Sequence, residues 1–185
     1  MRKEIVIKHL GYVLFLNGTF LFISFLISLV NHESSMLPLL FSAVICGIFG
    51  TFPLIFVEKT QSISFSEGLS IVVFGWLLTC IAGMLPYIMW GGEFTLANAW
   101  FESVSGFTTT GSTILNDVEA LPLGLIFWRS ATHWIGGVGI IIFVLLILPQ
   151  SKGQRISIYN SEVSALTKMN FNYNARNVVR ILALV

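Results

Sequence analysis

Four long apolar stretches divide the chain, and each is long enough to cross a membrane as a helix. They cover residues 9–30, 37–57, 69–90 and 126–148. A helix needs about 20 predominantly apolar residues to cross the hydrocarbon core of a bilayer. The first three stretches contain no acidic residue, lysine or arginine, whereas the fourth contains Arg129 and His133. The pattern therefore predicts four membrane-spanning helices.

The segment between the third and fourth stretches, residues 91–122, predicts a re-entrant structure. Thr95 is a favoured N-cap residue, and a short helix is expected from it to about Gly106. Its apolar residues are spaced for one face: Leu96, Ala99, Trp100 and Val104. A dozen residues make about 18 Å of helix, which is too short to cross the bilayer. Both neighbouring spans meet this segment on the same side, so we expect a half-helix and an extended return. Irregular backbone at membrane depth is tolerated where it lines a watery cavity, so the geometry indicates a pore.

The basic residues predict the orientation of the spans. With the N-terminus in the cytoplasm, nine of the ten basic residues fall inside: Arg2, Lys3, Lys8, Lys59, Lys152, Arg155, Lys168, Arg176 and Arg180. The outer loops then hold Glu33, Glu93, Asp117 and Glu119 and no lysine or arginine. Cytoplasmic loops are enriched in lysine and arginine. We therefore expect a multi-pass protein of the cytoplasmic membrane with a cytoplasmic N-terminus.

Composition agrees with an all-α integral membrane protein and excludes other classes. Apolar residues make up 55% of the chain and charged residues 10%, whereas a soluble domain carries about 25% charged residues. Ten Lys and Arg against nine Asp and Glu leave no basic surface, so a nucleic-acid partner is not expected. Cys46 and Cys80 lie inside apolar stretches, where a free thiol behaves as a small hydrophobic group.

The return segment Thr-Thr-Thr-Gly-Ser-Thr, residues 108–113, has the chemistry of an ion-coordinating strand. Gly111 permits backbone angles that direct successive carbonyls to one side. A row of such carbonyls can replace the hydration shell of a potassium ion. The C-terminal end of the preceding half-helix is partly negative and favours a cation. The alternative interpretation is a plain threonine-rich loop.

Two stretches, FESVSGFTTTGSTIL and FWRSATHWIGGVGIII, resemble the Trk/Ktr/HKT superfamily of potassium transporters, and most of all its bacterial TrkH/TrkG-type membrane subunits. That family carries four membrane–pore–membrane repeats in one chain around a pseudo-fourfold axis, with a leading helix pair in the Trk type. The resemblance implies that residues 1–66 are the leading pair and residues 67–149 the first repeat. Residues 150–185 would be a cytoplasmic loop and the start of the next transmembrane helix. Because one filter strand cannot surround an ion, we expect the natural chain to continue, and a homotetramer is the alternative.

The resemblance also implies the site and its partners. The filter carbonyls would come from Thr109, Thr110, Gly111 and Ser112, with Thr108 as support. Gly111 stands where some plant relatives carry serine, a change associated with sodium preference, so potassium is the expected ion. Relatives use no cofactor and no transition metal, and they are transporters rather than enzymes. By analogy, a cytoplasmic TrkA-like nucleotide-binding subunit would gate the pore.

Other residues in this region have competing interpretations. Arg129 is costly inside a bilayer and should find a partner, for which Glu102 is the nearest candidate by topology. The pair is interpreted as a structural brace of the filter, or as a charge that tunes cation access. His133, four residues from Arg129, is interpreted as an interior side chain. The Gly136-Gly137-Val138-Gly139 run follows no strand, so it indicates close helix packing or a bend, not a dinucleotide loop.

Two other classes of function are compatible with parts of the sequence. Glu102 in a membrane enzyme would act as a general acid, but Ser103 and Ser105 have no positioned base beside them. A non-conducting membrane anchor or assembly module would use the same spans without a filter. It predicts that changes at residues 109–112 affect the amount of protein and not ion flux.

Overall fold

The computed structural model describes residues 2–57 and 64–147, and every regular element in these ranges is a helix. The helices are α1 (Lys3–Val30), α2 (Met36–Phe56), α3 (Phe65–Trp90), α4 (Leu96–Phe107) and α5 (Leu123–Ile147). The predicted all-α membrane fold is confirmed, since α1, α2 and α3 are long and apolar enough to cross a bilayer. Residues 2–57 and 64–137 belong to one compact unit. The described end of α5, residues 138–147, belongs to a second unit.

The fourth predicted span, 126–148, falls on α5, whose 25 residues are enough to cross a bilayer. That α5 crosses stays a prediction. Leu148 and the predicted cytoplasmic segment 150–185 lie outside the described residues. The predicted division at residue 66 falls in the first turn of α3 and also stays a prediction.

The starts predicted for the first and third spans are too late. The first helix begins at Lys3 instead of residue 9, and the third at Phe65 instead of residue 69. Hydropathy locates only the apolar part of a helix, and charged residues extend it where their groups are paired. Lys8 is buried, and its Nζ donates to the carbonyl of Val57, 2.5 Å away, at the end of α2. The buried amine thereby satisfies a carbonyl that the end of α2 would leave unpaired.

A capping box begins α3. The Ser64 hydroxyl accepts from the Glu67 backbone N–H at 3.4 Å, and a Glu67 carboxylate oxygen accepts from the Ser64 N–H at 2.9 Å. Arg2 Nε and Nη2 each lie 3.0 Å from an oxygen of the same carboxylate, and this hydrogen bonding raises the pKa of Arg2. The start of α1 is therefore fixed to the start of α3. The Ser-x-x-Glu spacing is the sequence signal that predicts such a cap.

The opposite ends of the helices meet at a second cluster. Trp90 Nε1, at the end of α3, donates to Ser34 Oγ at 3.0 Å, in the loop between α1 and α2. Glu33 in the same loop accepts from the backbone N–H groups of Leu123 and Gly124, at 2.6 and 3.0 Å, where α5 begins. The ends of α1 and α3 and the starts of α2 and α5 thus lie together, as the predicted alternation of spans requires. Which side is cytoplasmic stays a prediction.

Candidate filter segment and its support

The predicted half-helix is present as α4. The Thr95 hydroxyl accepts from the Asn98 N–H at 3.3 Å, and Asn98 Nδ2 donates to the Glu93 carbonyl at 2.7 Å. These contacts form the predicted N-cap, and the helix ends at Phe107, one residue beyond the prediction. Its 12 residues are too few to cross a bilayer. The half-helix is followed by a non-helical return, as the sequence indicates.

The predicted apolar face of α4 is only partly correct. Ala99 is fully buried, but Leu96 is 66% exposed and Trp100 is also exposed. The buried face instead carries Glu102, Ser103 and Ser105, whose polar groups form hydrogen bonds with other segments of the same chain. The reason is that apolar side chains of a membrane protein need not face the core, since lipid is equally apolar. Polar groups, by contrast, must find partners inside the protein.

The return segment uses its backbone N–H groups to complete the end of α4. The N–H of Thr109 donates to Gly106 at 2.9 Å, and that of Thr110 donates to Ser105 at 3.0 Å. The N–H of Gly111 also lies on the Ser105 carbonyl, at 3.5 Å. In a planar trans peptide the carbonyl points opposite to the N–H of the following residue. The carbonyls of Thr109 and Thr110 therefore point away from α4, and no described residue donates a hydrogen bond to either.

Two residues of the return adopt left-handed backbone angles. Thr109 has φ of 57° and Gly111 has φ of 77°. Glycine tolerates this conformation, but for a β-branched threonine it is uncommon and costs about 1–3 kcal/mol. Such strain persists only where the surroundings hold it, and it concentrates at functional sites. This backbone is therefore held by its contacts.

The return segment is held mainly by the carboxylate of Glu102, whose side chain is 1% exposed. Its Oε1 accepts from the N–H of Ile114 at 2.8 Å and from the hydroxyl of Thr113. Its Oε2 accepts from Arg129 Nε at 3.1 Å, so the ion pair expected from topology is present. One carboxylate thus joins the half-helix, the return segment and α5.

Two other contacts touch the predicted filter carbonyls. Arg129 Nη2 lies 3.4 Å from the Gly111 carbonyl, longer than an ordinary hydrogen bond of 2.7–3.2 Å. The Ser105 hydroxyl donates to the Ser112 carbonyl at 2.6 Å. Within the described chain, Ser112 therefore differs from Thr109 and Thr110, because its carbonyl already accepts a protein hydrogen bond. The four predicted residues are adjacent but not equivalent.

Two other residues predicted for this region, Thr108 and His133, form hydrogen bonds through their side chains. The Thr108 hydroxyl shares a hydrogen bond with the Thr110 hydroxyl at 2.8 Å, and the supporting role of Thr108 stays a prediction. His133 is partly buried, with Nδ1 2.9 Å from the Arg129 carbonyl. The sequence gives no sign that Ser105 and Thr113 support the return segment. No local pattern predicts their contacts, because each depends on how the chain reverses after α4.

Small residues allow α4 to pack closely against its neighbours. A Cβ atom on Gly83 of α3 would lie 2.6 Å from the Ser103 hydroxyl, which donates to the Cys80 carbonyl at 2.7 Å. A Cβ on Gly136 of α5 would collide with the backbone of Phe107 at the end of α4. The interpretation of this glycine as a close-packing residue agrees with the contact.

Gly136→Ala is expected to destabilise the protein by about 1–3 kcal/mol, because the collision is with backbone that cannot rotate away. The matched control is Gly137→Ala, since nothing lies within 4 Å of a Cβ at that position. There the change removes a helical glycine and should be neutral or stabilising. Thermal unfolding of the purified protein in detergent measures both, and equal melting temperatures would contradict the packing assignment.

The comparisons with known proteins agree with this geometry. The family described as "TrkH: Cation transport protein" matches residues 39–185. An uncharacterised cation transporter of Methanocaldococcus jannaschii is 31% identical over 163 residues, 87% of this chain and 34% of that protein. The Trk system potassium uptake protein TrkH of Vibrio parahaemolyticus is 28% identical over 91% of this chain and 35% of its own. The chain therefore spans about a third of the length of these curated relatives.

A solved structure shows the same fold. The crystal structure of the potassium transporter TrkH from Vibrio parahaemolyticus superimposes with a TM-score of 0.76 and 24% identity. The match covers 99% of this chain and 37% of that one. The family match extends over most of the chain and includes α3, α4, α5 and the return segment. The chain belongs to the TrkH family of cation transport proteins.

Proposed function

We propose that this chain contributes one strand of the selectivity filter in a Trk-type potassium-uptake pore. The observation that carries the proposal is the backbone of the return segment. Its N–H groups are used by the end of α4, which leaves the carbonyls of Thr109 and Thr110 directed away from the protein support. Carbonyl oxygens in such an arrangement are suitable ligands for a dehydrated potassium ion.

The proposed ligands are the carbonyls of Thr109, Thr110 and Gly111, with Ser112 at the end of the strand. Among the described residues, only Arg129 approaches the Gly111 carbonyl, with Nη2 at 3.4 Å, so this oxygen can still accept an ion. The Ser112 carbonyl would have to share its oxygen with the Ser105 hydroxyl. Thr108, Glu102 and Arg129 are proposed as the supports that hold the strand.

The proposed surroundings follow from the family and from the exposed faces of the helices. One strand cannot enclose an ion, so three further strands are proposed, from the same chain or from other copies. Large apolar side chains on α2, such as Phe49 at 64% exposure and Phe52 at 62%, are suited to membrane lipid. We also propose a cytoplasmic N-terminus, residence in the bacterial cytoplasmic membrane and a cytoplasmic TrkA-like regulatory partner.

Potassium flux through the purified natural protein, produced at its full length, tests the proposal. Reconstituted in proteoliposomes with a potassium gradient, the protein should carry rubidium tracer faster than sodium tracer. Empty liposomes and liposomes with an unrelated membrane protein are the controls. The native mass of the particle shows whether the strands come from one chain or from four copies. A folded protein that carries neither ion would contradict the proposal and favour a non-conducting assembly module.

A further inference from the structure

Glu33 makes a contact that the filter chemistry does not use. It lies in the short loop between α1 and α2, and its carboxylate accepts from the N–H groups of Leu123 and Gly124 at 2.6 and 3.0 Å. These residues are 90 and 91 positions away in sequence. The following two N–H groups, of Leu125 and Ile126, bond to the Pro122 carbonyl. Glu33 therefore satisfies the two N–H groups that the first turn of α5 leaves unpaired.

The charge of Glu33 suits this position. The start of a helix carries a partial positive charge, and a carboxylate there is stabilising. The loop is itself held, because Ser28 and Ser35 share a hydrogen bond of 2.8 Å across it. Both serines are fully buried. The carboxylate is thus presented to α5 by a rigid loop.

The first turn of α5 is also enclosed by the helices that flank this loop. A Cβ atom on Gly124 would lie 2.7 Å from Ser28 Cβ, 2.8 Å from Leu39 Cδ1 and 2.9 Å from the Ser24 carbonyl. Such distances are shorter than real Cβ contacts allow, so only glycine fits. Hydrogen bonds and close packing therefore fix the same turn of α5.

The fixed turn lies close to the support of the filter segment. Arg129 follows Leu123 by six residues, about 9 Å of helix. Between them, Leu125 and Trp128 are fully buried, and Trp128 Nε1 donates to the Gly83 carbonyl at 3.1 Å. This short stretch of helix is packed on both sides. A displacement of its first turn would therefore move Arg129 relative to Glu102.

We infer that Glu33 is a positioning residue for the filter segment, and that α1 and α2 brace the filter through it. The inference rests on the proposed function and extends it. Glu33 holds the start of α5, α5 places Arg129, and Arg129 holds the Glu102 carboxylate that binds the return segment. The leading helix pair thus has a structural task in ion selection.

Glu33→Gln tests the inference in the natural full-length protein. Glutamine keeps the size of the side chain but has one acceptor oxygen and no charge, so one of the two N–H groups loses its partner. The matched control is Glu119→Gln. Glu119 is exposed, and its carboxylate makes no hydrogen bond to a described residue. The Glu119→Gln change removes the same charge near the start of α5 without disturbing the contact of Glu33 with Leu123 and Gly124.

Two measurements are made on each variant. Rubidium uptake in proteoliposomes gives KM, maximal rate and inhibition by sodium, and hydrogen exchange gives the protection of residues 108–113. For Glu33→Gln we expect KM to rise about threefold, together with weaker discrimination against sodium. A change of about threefold corresponds to the loss of the favourable interaction between a carboxylate and the start of a helix. Exchange in residues 108–113 should become faster by a similar factor. Glu119→Gln should change neither quantity, and Glu33→Asp should recover part of both.

The outcomes separate positioning from other effects. If Glu33→Gln lowers only the amount of folded protein, with KM, sodium inhibition and exchange unchanged, Glu33 is merely structural and the inference is wrong. It is equally wrong if Glu119→Gln reproduces the change, since the effect is then one of charge at a distance. If the unaltered protein carries no potassium, the proposed function fails. The exchange measurement still decides whether Glu33 positions residues 108–113.

Discussion

Replacing Glu102 by glutamine is expected to abolish selective potassium uptake and to lower the stability of the protein by about 3–5 kcal/mol, the cost of leaving a buried charge unpaired. The carboxylate accepts from Thr113, Ile114 and Arg129 at once. Glutamine offers one acceptor oxygen, and its amide nitrogen repels the arginine donor. Arg129 is only 17% exposed and would lose its counterion. The measurements are thermal unfolding and rubidium flux.

The control for Glu102→Gln is Glu93→Gln, just before the start of the same half-helix. Glu93 is exposed, and its carboxylate makes no hydrogen bond to a described residue, so stability and flux should be unchanged. The double variant Glu102→Gln with Arg129→Gln separates the charge from the brace. It removes both charges and should recover part of the stability, but not the selectivity. Full potassium selectivity in Glu102→Gln or in the double variant would show that the ion pair does not support the filter.

Replacing Gly111 by serine is expected to lower the preference for potassium over sodium by about tenfold, in line with a strain of 1–3 kcal/mol in the backbone. Gly111 has φ of 77°, which a side chain disfavours. Space is not the obstacle, since a Cβ there would lie 3.8 Å from His133 Nε2. The effect should therefore come from the angle of the carbonyls and not from a collision. The ratio of potassium to sodium flux measures it.

The matched control for this change is Gly91→Ser. Gly91 also has a positive φ, 80°, with nothing within 4 Å of a Cβ atom, and it lies at the end of α3. Because a side chain is disfavoured at this φ too, we expect Gly91→Ser to lower stability by at least about 1–2 kcal/mol, with an unchanged flux ratio. An unchanged ratio in Gly111→Ser itself would contradict the assignment of Gly111 to the filter.

The helices and the reversal of the chain after α4 could be predicted from sequence, because each depends on local composition. An uninterrupted apolar run of about 20 residues has few structural alternatives in a bilayer, and Thr95 is a local N-cap signal. The starts of α1 and α3 lie earlier than hydropathy predicts. Charged residues such as Lys8 can join a helix when a distant carbonyl accepts a hydrogen bond from them. The Ser64–Glu67 cap was readable and shows that local chemistry, not hydropathy alone, sets a helix end.

The site was predictable to a different degree at each position. The pairing of Glu102 with Arg129 followed from topology, because a charge at membrane depth has few possible partners. The sequence does not predict that the Ser112 carbonyl differs from the other proposed filter carbonyls. That difference depends on the hydrogen bond from the Ser105 hydroxyl, which forms only because the chain reverses after α4. The sequence also does not predict the contact of Glu33, which joins positions 90 residues apart.

By itself the sequence determined a membrane protein with long apolar helices, a short helix between two of them and a non-helical return segment that contains Gly111. Composition and periodicity suffice for these features, because the bilayer requires every helix to be apolar and internally hydrogen-bonded. Only the tertiary structure decided which carbonyls are already used and which groups hold the strained backbone of Thr109 and Gly111. It also decided that the loop between α1 and α2 caps α5. Hydrogen bonds between distant segments depend on distances of a few tenths of an ångström, and residue order alone does not specify those distances.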